Sequence, residues 1–471
     1  MAAHTAEMSI LSGRRRADVT PGFLVRRVDG GSELTAYRRL RRETFVDEQG
    51  LFTGDDHDEV DDDPRAVVLV ATGADDAVLG GVRLSPHGVP DIGWWTGSRL
   101  VVARGAHASG IGAALVRAAC AHAQEHGVLR FEATVQRRHW AMFTRLGWTI
   151  LSDCEVAGVG HSRMRSPIDT IQSATDRTKS YLAEVLAPLA EQAGGLGPPG
   201  FRGDDGVPVP GGDTIAACDA IIPSMVERDP EWAGWCSVLV NLNDLAAMGA
   251  RPTGLLDAVG APTRSVLTRI VRGIAHAAAA WDVPVLGGHT QVGVPASLSV
   301  TALGTTTRPI RAGGASVGDR LRLIADLDGR WRPGHHGTQW DSTTGRSAAD
   351  LRSMNRVVAD LSPRAAKDVS MAGLAGTAGM LAEASGAGVE LDVTSIPRPD
   401  VADMGSWLTC FPGFAMLTAD RAAAASPEGL PNGVRCAEVG VLVDRPGVRL
   451  RWPDGATTTA VAAAVTGLGR A

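Results

Sequence analysis

The run from Val238 to Ala250 constrains this chain more than any other stretch. Val238-Leu239-Val240 before it and Leu245-Ala246-Ala247-Met248 after it enclose Asn241, Asn243 and Asp244, so an apolar helix carries three polar side chains in its middle. A helix that is apolar on all sides is a buried one, and a buried amide or carboxylate costs free energy unless something satisfies it. A cap or a turn explains Asp204 or Asp219 taken singly, but not a polar trio inside an apolar run. Whatever this chain folds into must bring partners to the centre of a core helix.

Other polar blocks fall where such partners can come from. Gly203-Asp204-Asp205-Gly206 reads as a turn, Cys218-Asp219 ends the strand-like Thr214–Ala217, and Gly287-Gly288-His289-Thr290 follows the apolar strand Val283–Leu286. Aspartates and asparagines at the ends of different strands can converge on hard cations, which take oxygen ligands and bind through carboxylates plus phosphate. The Gly-Gly pair suits a phosphate arriving at backbone amides. Around these blocks the pattern predicts helices over Lys179–Gln192, Trp235–Met248 and Arg264–Trp281. Beyond an Arg/Gly-rich break at Arg308–Asp319 it predicts a strand over Arg320–Asp326 and helices over Met354–Leu361 and Gly373–Ser385.

Ahead of this region lies a separate α/β pattern. Met1–Thr20 reads as a leader, Glu33–Glu48 as a helix, and Asp55–Asp63 as a solvated acidic loop. Ala66–Ala71, Ala77–Leu84, Gly97–Val102 and Leu129–Val135 read as strands. Strand Leu100–Val102 feeds a turn and then a helix that starts at Gly110 and is ended by Gly127. A helix N-terminus has free N–H groups and a partial positive charge, so it seats a pyrophosphate without lysines. That matters here, because Lys179 and Lys367 are the only lysines, and they leave little material for a lysine base or Schiff base. A net charge of -6 argues against a nucleic-acid or anionic-membrane footprint. The six cysteines form no CxxC pair, and no run is long and apolar enough for a signal peptide or a membrane span. A cytoplasmic protein is expected.

From roughly Phe23 to Arg163 the chain resembles the GNAT superfamily of acyl-CoA-dependent N-acetyltransferases. His107-Ala108-Ser109-Gly110-Ile111-Gly112 falls on that family's Gln/Arg-x-x-Gly-x-Gly/Ala signature. Phe143-Thr144-Arg145-Leu146-Gly147-Trp148 is similar to its "FYxxLGF" block, and Phe45-Val46-Asp47-Glu48-Gln49 to an "FVxEQ" block of one branch. The resemblance implies acetyl-CoA as cofactor. Its pyrophosphate would lie on the amides of Ser109, Gly110, Ile111, Gly112 and Ala113, with His107 at the head of the loop. Its pantetheine arm would pair with the strand edge that ends at Val102. His107 replaces the usual Gln or Arg. Phe143 stands where the family often has a tyrosine that protonates the departing thiolate, and a phenyl ring cannot donate a proton. Something must still take the amine proton, and Glu43, Glu48 and His139 are the candidates. The acidic stretch Asp55–Asp63 would attract a cationic amine.

From about Leu182 to Val465 the chain resembles the AIR synthase-related superfamily, with thiamine-monophosphate kinase the nearest in texture. The kinase blocks "GDDAAV", "TTD", "NLSDLAAMGA.P" and "GGDT" are similar to Gly203–Gly206, Ala217–Asp219, Asn241–Pro252 and Gly287–Thr290. The resemblance implies Mg-ATP chemistry in which Asp204, Asp205, Asp219 and Asp244 ligate Mg²⁺. Asn241 and Asn243 would orient phosphate or a metal-bound water, and Gly287 and Gly288 would face the phosphates. His289 replaces an Asp, and since an imidazole is a weaker ligand for Mg²⁺, either one metal would be lost or the histidine would meet the substrate. Ala366-Lys367-Asp368-Val369-Ser370-Met371 resembles the kinase's "MDISDGL"; Asp368 is kept as a catalytic candidate and Met371 replaces the second Asp, so the substrate side differs. The family implies a homodimer, and a fused pair of this kind resembles a bacterial family found near nitrilase genes.

The expected architecture is a multidomain α/β and α+β chain. It comprises a leader over residues 1–20, a GNAT domain over 21–165, and a two-subdomain AIR synthase-like α+β fold over 166–307 and 308–471. The expected function is a bifunctional enzyme acting on small molecules, an acetyltransferase joined to a Mg-ATP-dependent kinase or synthase. The alternative keeps the ATP chemistry and makes the GNAT fold a non-catalytic sensor or partner module.

Overall fold

A computed structural model describes residues 22–335, 337–421 and 427–471, with the side chains of residues 107–109 outside the description. The leader expected over Met1–Thr20 lies outside the described residues. The chain forms two compact units, Met1–Ile168 and Asp169–Ala471.

In the first unit, β1 (Phe23–Val28), β2 (Val67–Gly73), β3 (Val78–Pro86), β4 (Trp94–Val102), β5 (Arg130–Gln136), β6 (Thr149–Val156) and β7 (Val159–Arg165) make one sheet in the order β1-β2-β3-β4-β5-β7-β6. Alternation along β2 sends Leu69 and Ala71 to one face and Val68 and Val70 to the other. The first pair packs with Ile111, Leu115 and Ala119 of α2 (Ile111–Glu125). The second packs with Tyr37 of α1 (Gly31–Arg42) and Phe45 of the π-helical turn Glu43–Glu48 that continues it.

Only β4 and β5 run parallel, and their ladder joins Trp94–Gly97 to Arg130–Ala133 and no further. A cause lies next door in β4. Between the pairs Gly81–Val101 and Arg83–Ser98 two residues of β4 oppose one of β3, and Arg99 adopts φ 53°. This is a β-bulge, which bends the strand that carries it. The acidic stretch, expected to be a solvated loop, is what holds the bulge. Arg99 donates to Asp56 at 3.0 Å and to Asp58 at 2.9 Å. Arg41 pairs with Asp56 and Asp61, and Arg83 with Asp58 and Asp61. Burial pushes the Asp61 carboxyl up, but its bond to Arg41 and the charges of Arg41 and Arg83 outweigh this and hold it well below the usual range. Asp56, Asp58 and Asp61 are therefore spent on three arginines and Asp63 on Arg65, while Asp55, Glu59 and Asp62 stay exposed.

In the second unit, β8 (Val207–Pro208), β9 (Thr214–Ala220), β10 (Arg251–Ala261), β11 (Val285–Val292) and β12 (Ser297–Thr305) form a sheet in the order β11-β10-β12-β9-β8. One face, with Ile215, Ala217, Leu255, Val259 and Val300, is covered by α4 (Pro230–Ala247) and α5 (Arg264–Trp281). Pro230 opens α4, where its missing N–H costs nothing, and Gly249 at φ 66° follows its end. A second sheet joins β13 (Arg320–Asp326), β16 (Ala365–Asp368), β17 (Gly388–Asp392), β18 (Ala415–Asp420), β19 (Val434–Val443), β20 (Val448–Arg451) and β21 (Thr457–Val461). Its order is β16-β18-β13-β19-β17-β20-β21, and the short strands β14 (Arg330–Trp331) and β15 (Trp340–Asp341) pair separately.

Several boundaries differ from expectation. The helix predicted over Lys179–Gln192 is the shorter α3 (Leu182–Ala190), and a further helix, Thr170–Thr178, lies ahead of it in a stretch whose polar residues carry no helical signal. The helix predicted over Met354–Leu361 is the shorter Val357–Leu361; a separate helix, Ala348–Met354, ends where it was expected to begin, and between them Asn355 donates to the Leu242 carbonyl and accepts from the Trp281 indole. No described helix is long and apolar enough to cross a membrane.

Candidate functional site

The polar trio of α4 divides its work by helix face. Asn241 donates to the Ser237 carbonyl at 2.8 Å, one turn back, and accepts from the Asp219 N–H at 3.0 Å. Both ends of this amide are therefore used to fasten the end of β9 to α4, which fixes Asp219. Asn243 lies on another face and donates to the Gly413 carbonyl at 2.9 Å, tying α4 to the C-terminal subdomain, while its own Oδ1 is buried without a partner. Asp244, one turn on from Asn241, is 5% exposed.

Around Asp244 the second unit gathers acids from three places. Carboxylate oxygens of Asp205, Asp244 and Asp368 lie within 4.8 Å of one another. They come from the turn after Gly203, the last turn of α4 and the end of β16. Asp368 Oδ1 is buried and unpartnered. Burial, reinforced by Asp368, Asp219 and Asp205 and partly offset by Lys367, pushes the Asp244 carboxyl well above the usual range. Burial and the charge of Asp205 do the same to Asp368. Like charges crowded into a poorly solvated place call for a counter-cation. Three hard oxygen donors, one of them free, fit a divalent ion of the Mg²⁺ type.

The remaining predicted residues fall at varying distances from this centre. Asp204 is outside the three-acid group: its oxygens accept from the amides of Asp205 and Ala312, both at 2.9 Å, which ties the turn down. Asp219 presents its side chain to solvent at the end of β9, yet enough protein surrounds the carboxyl for burial to raise its pKa. Gly287, Gly288 and His289, expected just after a strand, lie within β11, an exposed edge strand. Gly288 is opposite Asp257 of β10, and a Cβ there would come within 2.5 Å of Asp257 Oδ1.

Two residues were missed. Asp257 and Asp219 both pair with Val300, so they share the helix-covered face of the sheet, and burial raises the Asp257 pKa. An acid inside Leu255-Leu256-Asp257-Ala258-Val259 was the available signal. Lys367, set aside as one of two scarce lysines, is buried against Asp205.

In the first unit the β4–β5 ladder ends at Gly97 and Ala133, and the predicted residues lie on the elements that adjoin or follow these strands. Gly110, at φ 79°, opens α2, and a Cβ there would touch nothing within 4 Å. Gly112 is packed against Val102 and Met142, each 3.6 Å from where a Cβ would be. Ile111 is buried in the core. Residues 104–109 form a short 3-10 helix, and the side chains of His107 and Ser109 lie outside the described residues. Glu48 pairs with Arg104 at 2.8 Å, and Glu43 with Arg39. A hydrogen bond from Gln136 to Gln49 at 2.8 Å joins the π-helical turn to the end of β5, from which the chain enters the turn holding His139. His139 is exposed beside Arg138. Phe143 faces away, into the core, edge-on to Trp148 with centroids 5.1 Å apart.

Residues 203–306 match the AIR synthase related protein, N-terminal domain, residues 336–453 the corresponding C-terminal domain, and residues 34–148 the acetyltransferase (GNAT) family. The chain is 37% identical over 227 residues to an uncharacterized protein of Synechocystis sp., covering 46% of this chain and 70% of that one. It is 35% identical over 158 residues to the thiamine-monophosphate kinase of Synechococcus elongatus, covering 31% of this chain and 47% of the kinase, less than half its length. Phosphoribosylformylglycinamidine synthase II of Thermotoga maritima superposes with a TM-score of 0.51 at 17% identity, over 65% of this chain and 53% of that one, a likeness of fold alone.

Proposed function

The chain belongs to the AIR synthase-related proteins, with a GNAT-family domain ahead of that core, and from this we propose a bifunctional enzyme. Its Asp169–Ala471 unit uses Mg-ATP to phosphorylate or activate a small molecule, and its Met1–Ile168 unit transfers an acetyl group from acetyl-CoA to an amine. The observation that carries the first half is the convergence of Asp205, Asp244 and Asp368 around an unpartnered carboxylate oxygen. These three would hold Mg²⁺, which neutralises phosphate charge when bound. Asp219, fixed by Asn241, and Asp257 extend the acidic surface along the sheet. Gly287 and Gly288 offer backbone amides to phosphate, and His289, with no carboxylate of its own, is directed to the substrate. Exposed Leu286 and Val292 on the edge strand β11 support a homodimer through that edge, since an uncovered apolar edge strand invites pairing. Six free cysteines suit a reducing, cytoplasmic setting. In the test, Mg-ATP raises the calorimetric melting temperature of the wild-type chain, and Asp244→Asn removes that rise. A full rise in the variant overturns the assignment.

In the first unit the amides at the start of α2, from Gly110 to Ala113, would seat the CoA pyrophosphate, and the free edge of β4 the pantetheine arm. Glu48 or His139 would take the amine proton. One observation favours a second reading, in which this unit binds acyl-CoA without transferring the acyl group. Tyr37 is its one tyrosine, and that hydroxyl is buried and donates to the Arg99 carbonyl at 2.8 Å, while Phe143 lies in the core. Incubating the chain with acetyl-CoA and a metabolite extract separates the readings: mass spectrometry finds an acetylated amine under the first and none under the second.

A further inference from the structure

Lys367 is 4% exposed at the end of β16, in a chain that otherwise relies on arginine for positive charge. A buried ammonium is tolerated only where carboxylates and acceptors surround it. Here it pairs with Asp205 and reaches the Gly203 carbonyl at 3.4 Å. Burial works against its charge, but Asp205 and Asp204 more than compensate and raise its pKa. The block it occupies is similar to one in which the kinase has an uncharged methionine at this position.

Lys367 and Asp368 are successive residues of a strand, so their side chains leave opposite faces. Asp205 lies where it can meet both: one oxygen takes the Lys367 ammonium, and the other accepts the Asp368 N–H at 3.0 Å. The ammonium makes no bond to Asp244 or Asp368, and Asp368 Oδ1 remains unpartnered. It therefore neutralises the Asp204–Asp205 side of the acidic centre and leaves the Asp244–Asp368 side short of positive charge. Asp204 has its oxygens on two backbone amides besides.

We propose that the Lys367 ammonium is a built-in cation that takes the place of a divalent ion on the Asp204–Asp205 side, so that the protein alone binds a single divalent ion, between Asp205, Asp244 and Asp368. The same contact latches the turn after Gly203 to β16 and so joins the two halves of the centre before any metal arrives. The proposal rests on reading the centre as a metal–nucleotide site, and its test is arranged to tell the two apart.

The measurement is the number of Mn²⁺ ions bound per intact chain without nucleotide, by equilibrium dialysis and by the loss of free-Mn²⁺ electron-spin-resonance signal. Wild type and Lys367→Arg are expected to bind one ion, and Lys367→Met one ion more, at the vacated carboxylates. Asp204→Asn, which keeps the lysine, should bind the wild-type number, so the proposal stays exposed even if the methionine variant does not fold. An unchanged count in folded Lys367→Met, or a lost ion in Asp204→Asn, overturns the proposal and leaves the metal–nucleotide reading standing. No Mn²⁺ bound by folded wild type overturns both.

Discussion

Asp244 carries a carboxylate where a core helix would ordinarily place a leucine, and Asp205, Asp219 and Asp368 repel it there. Without a cation this is stored destabilisation of the kind functional sites retain. Asp244→Asn keeps the shape and removes the charge, so it should stabilise the metal-free protein by about 1–3 kcal/mol while abolishing metal binding. Urea melts in the presence of a chelator check the first part. A pH dependence follows from Asp204. Burial, opposed by Lys367 and reinforced by Asp205, lifts its pKa from the ordinary 3.8 to about 7. The folded chain then holds a proton that the unfolded chain has released over that interval. The resulting stability is complete below roughly pH 4 and is lost as pH rises through 7. Metal-free melts should therefore lose stability between pH 5 and 7, by about 1 kcal/mol per pH unit, and Asp204→Asn should flatten that slope.

Among elements, α4 places the acids correctly only because it lies close against α5. A Cβ on Gly273 would come within 1.9 Å of the Glu231 carbonyl, and one on Gly234 within 2.2 Å of the Ile270 carbonyl. Gly273→Ala must push these backbones apart. It should cost about 1–3 kcal/mol by thermal melting and weaken metal binding through displaced Asp244, although it touches no ligand. The same scale shows what the sequence made legible. Apolar periodicity and turn residues marked α4, α5, β9 and the start of α2, and with them Asp219, Asp244 and Gly110, because these signals are local. The acidic stretch was misread since its arginines, Arg41, Arg83 and Arg99, come from other elements, with Arg99 and Asp56 43 positions apart. Lys367 was passed over for the same reason, its partner Asp205 lying 162 positions away. β11 was ended too early because its apolar run stops at Leu286, whereas the strand continues through two glycines, of which Gly288 lets it pass close to Asp257. The acidic turn after Gly203 marked Asp205 and family resemblance supplied Asp368, but only the folded chain shows that they share one centre.

For the whole molecule, each of the two units has apolar clusters of its own. The clusters around Leu115 and around Tyr37 draw only on residues before Asp169, and those around Leu242 and Ile324 only on residues after it. Each unit thus owns the burial that makes folding cooperative. Two resolved transitions are expected when the intact chain is melted in a calorimeter. A ligand seen only by one folded unit stabilises that unit by mass action, about 2.7 kcal/mol at one hundred times its Kd. Acetyl-CoA should therefore raise one transition and Mg-ATP the other, with neither moving both. Two activities on one chain need no energetic coupling to serve the same substrate, since tethering alone raises the local concentration of a shared intermediate. A single transition moved by either ligand would mean that the units fold and bind as one body, and the fusion would then be a device for regulation rather than for proximity.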